Sequence, residues 1–597
     1  MRLVLILLAA YLVCPLAVGA GASSSINLSR DLVSLGIAGQ NLAPNDPSLD
    51  ARPLFEAALK YVRGHRVRTL TLDRGAYYFL TAQNSTAYIG IYGFSDLTVD
   101  LAGSTIYFAD AFKQGFGIAA SKRVTLKNFQ IDFLKPPYTY VKLASVNPAQ
   151  RPLAYTLSGD WPDPATFNSG MSADGPLVLW AVAFRNGEIL PGTSRMHIAE
   201  PVAGNVLQLV QDHTPWTQSA TLSTLQPDDV IVVTQRGGPP PIIASNSESV
   251  SISRGTVFGS SGMAILLDSV SNSSVDSVYV QPRPGNLLST NADGIHFVNT
   301  GPDNHIRKCF VTGTLDDALA IDSYLLATVV SQNSPRQLTV IRTAYLHFPN
   351  GSSVNFVDPV SADEFTGATI VSQNPPDSNS PVFDGTVILN FDHDLPAINP
   401  GSEMVFSGPA SRGAGSSIEN NIVEEVPFGR GIWIGGAKGI VIQGNSIGRT
   451  SNGGIAICGD TAPNYPTPPA HHILVRRNLV YGSLGPMASG SGTQIAVGAI
   501  LVNFLNTRYS FVPDARSTNI SIEDNLIIDS GRSGIWVGEL DGGTVRDNVI
   551  IGYDKHPELP LFGVSAAERA QLLQDFTQPI VVHYSNNVTV ENNQTAN

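Results

Sequence analysis

Ser417-Ile418-Glu419-Asn420-Asn421 is echoed by Val441-Ile442-Gln443-Gly444-Asn445, and the reading of this echo decides the fold. The shared text is Val/Ile-x-x-Asn after a short alternating strand. It returns as Val475/Asn478, Ile522/Asn525, Val545/Asn548 and Val590/Asn593. Neighbouring steps are 24 residues (Asn421 to Asn445) and 23 residues (Asn525 to Asn548). A recurring unit of this length marks a solenoid. A coil of roughly 22–25 residues holds three short strands and three turns, and each coil hydrogen-bonds to its neighbours. Asn tolerates the left-handed backbone of a tight bend and bonds to nearby backbone. Stacked Asn side chains can also satisfy one another in a ladder. Related strands without the Asn lie upstream at 97–99, 124–126, 250–252 and 275–278. The expected class is all-β, a right-handed parallel β-helix. A sandwich of evenly spaced strands is the alternative, and six copies of one motif weigh against it.

Outward from the repeat, the chain divides. Residues 1–20 read as a signal peptide: Arg2 gives a positive start, an apolar run follows, and Ala17-Val18-Gly19-Ala20 offers a cleavage site. Residues 21–135 are an N-terminal cap and the first coils. Within them 50–64 is a helix, capped by Asp50, with Leu54, Ala57, Ala58 and Tyr61 as its apolar face. Such a helix covers the open end of the first coil. Two stretches interrupt the repeat, 136–240 and 325–412, both rich in strand-like runs, and each is long enough for a β-barrel-like module. Residues 241–324 are an intact piece of solenoid between them, and 413–597 are the C-terminal coils.

The bulk numbers narrow the function. Of 597 residues, 43% are hydrophobic and only 14% charged, so the chain can bury a core. The net charge of −13 disfavours nucleic acid and anionic membranes as partners, and favours neutral sugars over polyanions. A secreted or periplasmic protein is expected, with no membrane span after leader removal. Cys309 and Cys458 sit in no metal-ligand spacing and read as buried thiols, with a disulfide as the alternative. Asp392-His393-Asp394 reads as a turn rather than a metal site. No phosphate loop or nucleophile elbow is present, so neither cofactor nor metal is expected.

Chemistry concentrates in 285–325. Asn291-Ala292-Asp293-Gly294-Ile295-His296-Phe297 precedes Gly313-Thr314-Leu315-Asp316-Asp317-Ala318, and Asp293 lies 23 residues before Asp316. That is one coil, so the two should stack on adjacent rungs about 4.8 Å apart. Three crowded carboxylates, Asp293, Asp316 and Asp317, cannot all ionise cheaply, so one keeps a proton. An acid beside a base is what glycoside hydrolysis requires. A Ca²⁺ site and plain turn aspartates are the alternatives.

These strings resemble the polygalacturonase-type glycoside hydrolases. They are still more similar to glycoside hydrolase family 110, bacterial exo-acting α-1,3-galactosidases that invert. Arg430-Gly431-Ile432, and Gly454-Ile455-Ala456-Ile457 followed by Asp460, extend the likeness. The resemblance implies a β-helix with two inserted β-barrel modules and Asp293, Asp316 and Asp317 as catalytic carboxylates. It makes Asp316 the general acid, and gives Asp293 and Asp317 the task of positioning or deprotonating water. The chain departs from the family's pattern at Leu319-Ala320-Ile321-Asp322-Ser323 and at Thr461-Ala462-Pro463-Asn464-Tyr465. Candidate substrate contacts are His296, Arg430, Asp460 and Trp433, whose flat face suits a pyranose. Each has a bland counterpart: a packed His, a surface Arg, a strand-end Asp, a core Trp. The expected function is a secreted glycoside hydrolase removing a terminal sugar from a glycan or oligosaccharide. A polysaccharide lyase or epimerase on the same fold, or a non-catalytic glycan-binding β-helix, are the competing readings.

Overall fold

A computed structural model describes residues 25–597 except 66, 83–86, 146–152, 158–160, 165–170, 173–174, 177–178, 191–192, 194–195, 199–204, 208–224, 343–349, 359, 362, 366, 376–384, 409–410, 461–466, 485–496, 506–510, 512–513, 515 and 557–565. The expected leader, 1–20, lies outside the described residues.

The repeat builds a right-handed parallel β-helix. One wall is an eleven-stranded sheet running from Ala87–Tyr92 to Ile580–His583, and every pairing along it is parallel. Twenty-one further strands, also parallel, form the rest of the coil. Within each strand alternate residues turn inward, and equivalent positions of successive coils meet in columns. Ile242, Ile265, Ile295, Leu319, Ile432, Ile455, Ile500 and Ile535 form one such column. All are at most 1% exposed.

The asparagines stack as their spacing requires. The Oδ1 of Asn445 accepts from the backbone N and the Nδ2 of Asn421 at 3.0 and 2.9 Å. The same pair of bonds joins Asn445 to Asn478, Asn478 to Asn525, Asn525 to Asn548 and Asn548 to Asn593. Each Nδ2 also reaches a backbone carbonyl, for example Asn478 to Ile442 at 3.0 Å. The amides are thus buried without an orphaned polar atom. The residue before each Asn carries the left-handed turn, at Asn420, Gly444, Arg477, Asp524, Asp547 and Asn592. Cys309 takes the ladder position one coil before Asn421, its backbone N donating to Asn421 Oδ1 at 2.9 Å. Burial pushes its thiol pKa up to about 12.

The capping helix spans Ala51–Gly64, with Asp50 accepting from the Arg52 backbone N. Its buried face is Ala51, Leu54, Phe55, Ala58, Leu59 and Val62. The expected face is thus shifted: Ala57 and Tyr61 sit at its half-buried edge, because Phe55 is the side chain that enters the coil, against Phe79 and Phe116. Two seven-stranded antiparallel sheets interrupt the solenoid, one with strands from Tyr138–Ser145 to Val230–Thr234, the other from Ala327–Ser334 to Glu403–Phe406. The second is tied to the coil by Arg412, which is 3% exposed and donates to Glu364 Oε2 at 2.9 Å and to the Gly436 carbonyl.

Candidate active site

The rungs fix the site. Ile295 pairs with Leu319, and Leu319 with Ile432, in parallel register. Just before these strands, Gly294 N donates to the Asp317 carbonyl at 2.9 Å and Ala318 N to the Arg430 carbonyl at 2.9 Å. The coil step here is therefore 24 residues. Asp293 stacks on Asp317 rather than on Asp316, and Asp317 stacks on Arg430. Asp316 lies one position earlier on the middle rung. Carboxylate oxygens of Asp293, Asp316 and Asp317 nevertheless all come within 4.8 Å of one another. Two glycines permit this closeness. A side chain at Gly294 would strike the Ala318 carbonyl, and Gly429, at φ +123°, lies so near the Asp316 backbone that a Cβ would meet it at 2.4 Å.

The three carboxylates have different surroundings. Asp317 is 2% exposed and takes three N–H bonds from Arg430: backbone N at 2.7 Å, Nε at 2.8 Å and Nη2 at 2.7 Å. Burial raises its pKa to about 7; Arg430 opposes the rise, and Asp316 and Asp293 add to it. Asp293 is 5% exposed and faces His296, with Oδ2 2.6 Å from Nδ1. Asp316 is the accessible member, its side chain 21% exposed, and it is bound by Arg236. Arg430, Arg236 and His296 thus bring a cationic or protonatable group to each carboxylate.

The structure also places the remaining candidates. His296 is 2% exposed, beneath the cluster, and its Nε2 is 3.2 Å from Asp322 Oδ2. Trp433 is half-buried two rungs on, its ring 6.0 Å from the His296 ring and 4.5 Å from the Arg430 guanidinium. Arg430 also donates to Cys458 Sγ at 3.3 Å. Asp460 ends the strand Ile455–Asp460, and its side chain lies outside the described residues, as does 461–466.

Sequence reasoning missed Arg236, Trp180 and Asp322. The first two belong to the first module, and no local motif signals them. Arg236 lies against Trp180 at 4.3 Å, and Trp180 meets Phe428 edge-on. The module is seated here by apolar packing of Tyr138, Tyr140, Val182 and Phe184 on Leu288 and Leu315. It therefore forms a wall beside Asp316. Asp322 was findable from register, since it pairs with Val298 in the strand that carries His296.

Fold and site together define a parallel β-helix bearing three carboxylates gathered on consecutive rungs. No family model matches the chain. Curated relatives do. The chain is 23% identical over 556 residues to an alpha-1,3-galactosidase B of Phocaeicola vulgatus, covering 84% of this chain and 89% of that protein. It is 22% identical over 582 residues to alpha-1,3-galactosidase B of Parabacteroides distasonis, covering 90% of each. A match to alpha-1,3-galactosidase B of Akkermansia muciniphila, 23% identical, spans 50% of this chain but only 37% of that longer protein. Among solved structures, an exopolygalacturonase from Thermotoga maritima aligns with TM-score 0.43 at 10% identity, covering 96% of this chain and 92% of that one. The resemblance to the α-1,3-galactosidases of glycoside hydrolase family 110 thus runs through most of the chain. Among the described residues, no helix is long and apolar enough to cross a membrane.

Proposed function

We propose that this protein is an exported glycoside hydrolase of the α-galactosidase type, which removes terminal α-linked galactose from glycans. The observation that carries this reading is the meeting of Asp293, Asp316 and Asp317 within 4.8 Å on consecutive rungs, in a chain akin to α-1,3-galactosidases along most of its length. An acid must reach the glycosidic oxygen, and Asp316 is the exposed carboxyl; it donates the proton to the leaving group. Asp293 and Asp317 hold and deprotonate the attacking water. In opposed acid–base pairs about 6.5–9.5 Å apart, water stands between the carboxyls. Here all three come within 4.8 Å, nearer the about 5–5.5 Å of retaining pairs, so the inverting outcome rests on the likeness to the family 110 enzymes and not on this spacing. Trp433 offers an apolar face and Arg430 a charged rim to the sugar. The expectation of a leader at 1–20 is what points to export.

The test is a panel of nitrophenyl glycosides assayed with the wild-type protein and with Asp316→Asn. The reading expects release from the α-galactoside, lowered about 10²–10⁴-fold in the variant and insensitive to chelator. Equal turnover by both proteins would remove Asp316 from the mechanism, and ultraviolet-absorbing unsaturated products would turn the assignment towards a lyase.

A further inference from the structure

Below the cluster lies a buried acid that the proposed hydrolysis does not use. Asp322 is 0% exposed and ends the strand Leu319–Asp322. Between it and Asp293 stands the His296 ring, with Asp293 Oδ2 at 2.6 Å from Nδ1 and Asp322 Oδ2 at 3.2 Å from Nε2. The next rung permits the arrangement, because Ala320 is the residue paired with His296 and its small side chain leaves room for the ring. Trp433 closes the far side edge-on.

We propose that Asp322 is a positioning residue: with Asp293 it holds His296 as a buried imidazolium, and this fixed cation orients Asp293 towards the attacking water. The inference rests on the hydrolase reading for its consequence, but not for its geometry. The groups facing His296 are accounted for on every side. Leu266 is its partner on the preceding strand, which ends in Asp268. Asp322, with Tyr324 beside it, comes from the following strand. Beyond Ala320, Trp433 brings no charge, and Arg430 is engaged with Asp317. Burial alone would lower the His296 pKa, yet the two facing carboxylates raise it well above its ordinary value. Burial raises the Asp322 pKa and the imidazolium opposes that rise, so a neutral ring would leave the buried Asp322 carboxyl without its countercharge. With one Asp293 oxygen turned to the imidazolium, the other remains for water.

The experiment is nitrogen NMR of the full chain labelled at histidine nitrogens, with the His296 signals assigned by their loss in His296→Gln. The wild-type ring should stay doubly protonated well above the about 6.5 at which an unperturbed imidazole titrates. In Asp322→Asn it should titrate at least about one pH unit lower. In parallel, the activity loss of Asp322→Asn should be at least about tenfold larger at pH 8 than at pH 6, since the variant sheds the imidazolium proton first. A neutral wild-type ring at pH 7, a titration unmoved by the substitution, or a loss uniform across pH would overturn the inference. If the variant does not fold, the wild-type titration decides alone. Should the titrations behave as expected while no α-galactoside is cleaved, the clamp stands and the hydrolase reading falls.

Discussion

The Arg430–Asp317 pair shows how one side chain sets the state of the site. Three N–H groups of Arg430 converge on a carboxylate that is 2% exposed. Removing the guanidinium leaves a buried charge without its partner, so Arg430→Ala should destabilise the protein by about 3–5 kcal/mol, read as a lowered denaturant midpoint. The same crowding governs pH dependence. Asp317 is pushed up to about 7 by burial and by its two neighbours, so it holds a proton below that pH and loses it above. As a base for the attacking water Asp317 must shed that proton, so kcat/KM should rise on its acid side with an apparent pKa near 7; a profile flat from pH 5 to 9 would contradict it. The sequence made the three aspartates legible because their spacing was one coil. It did not make their pairing legible: a step of 24 residues, not 23, stacks Asp293 on Asp317. Nothing local in the text around Trp180 or Arg236 could place them beside Asp316, since only the docking of a separate module does so.

At the scale of the strand and corner, the Asn ladder is the element that keeps the coils in register. Asn478 serves two coils at once, accepting through Oδ1 from the Asn445 backbone N and Nδ2, and donating through Nδ2 to Asn525 and the Ile442 carbonyl. Truncation orphans several buried polar groups, each costing about 1–3 kcal/mol. Asn478→Ala should thus lower stability by about 2–4 kcal/mol in thermal or chemical unfolding, and a loss below 0.5 kcal/mol would show the ladder to be dispensable. The ladder was readable from Val/Ile-x-x-Asn alone because position and chemistry coincide there. The capping helix was readable too, but its face was not quite: Phe55 and Leu59, rather than Ala57 and Tyr61, turn inward, because once Phe55 enters the coil the stripe at i+3, i+4 and i+7 runs through Ala58, Leu59 and Val62.

For the whole molecule, a scaffold of stacked rungs holds the acids, and two modules emerge from loops on either side of them. The second module is joined to the coil through Glu364. Burial alone would raise the Glu364 pKa, but His471, Arg412 and Asn355 outweigh it and hold it near 2. Its folded pKa lies below the unfolded value, so the stabilisation is complete above about pH 4.5 and fades as pH falls towards 2. Unfolding followed between pH 5 and 2 should show this loss, and Glu364→Gln should flatten it; an equally steep loss in the variant would assign the acid sensitivity elsewhere. The central claim, that stacked coils gather three acids for hydrolysis of a terminal galactoside, meets its most direct test in proton NMR of a reducing-end-blocked oligosaccharide ending in α-1,3-linked galactose, recorded as the protein is added. The account predicts free galactose whose β-anomer appears first and then mutarotates. An α-anomer appearing first would contradict the inverting assignment, and an intact substrate after prolonged incubation with folded protein would contradict the claim itself.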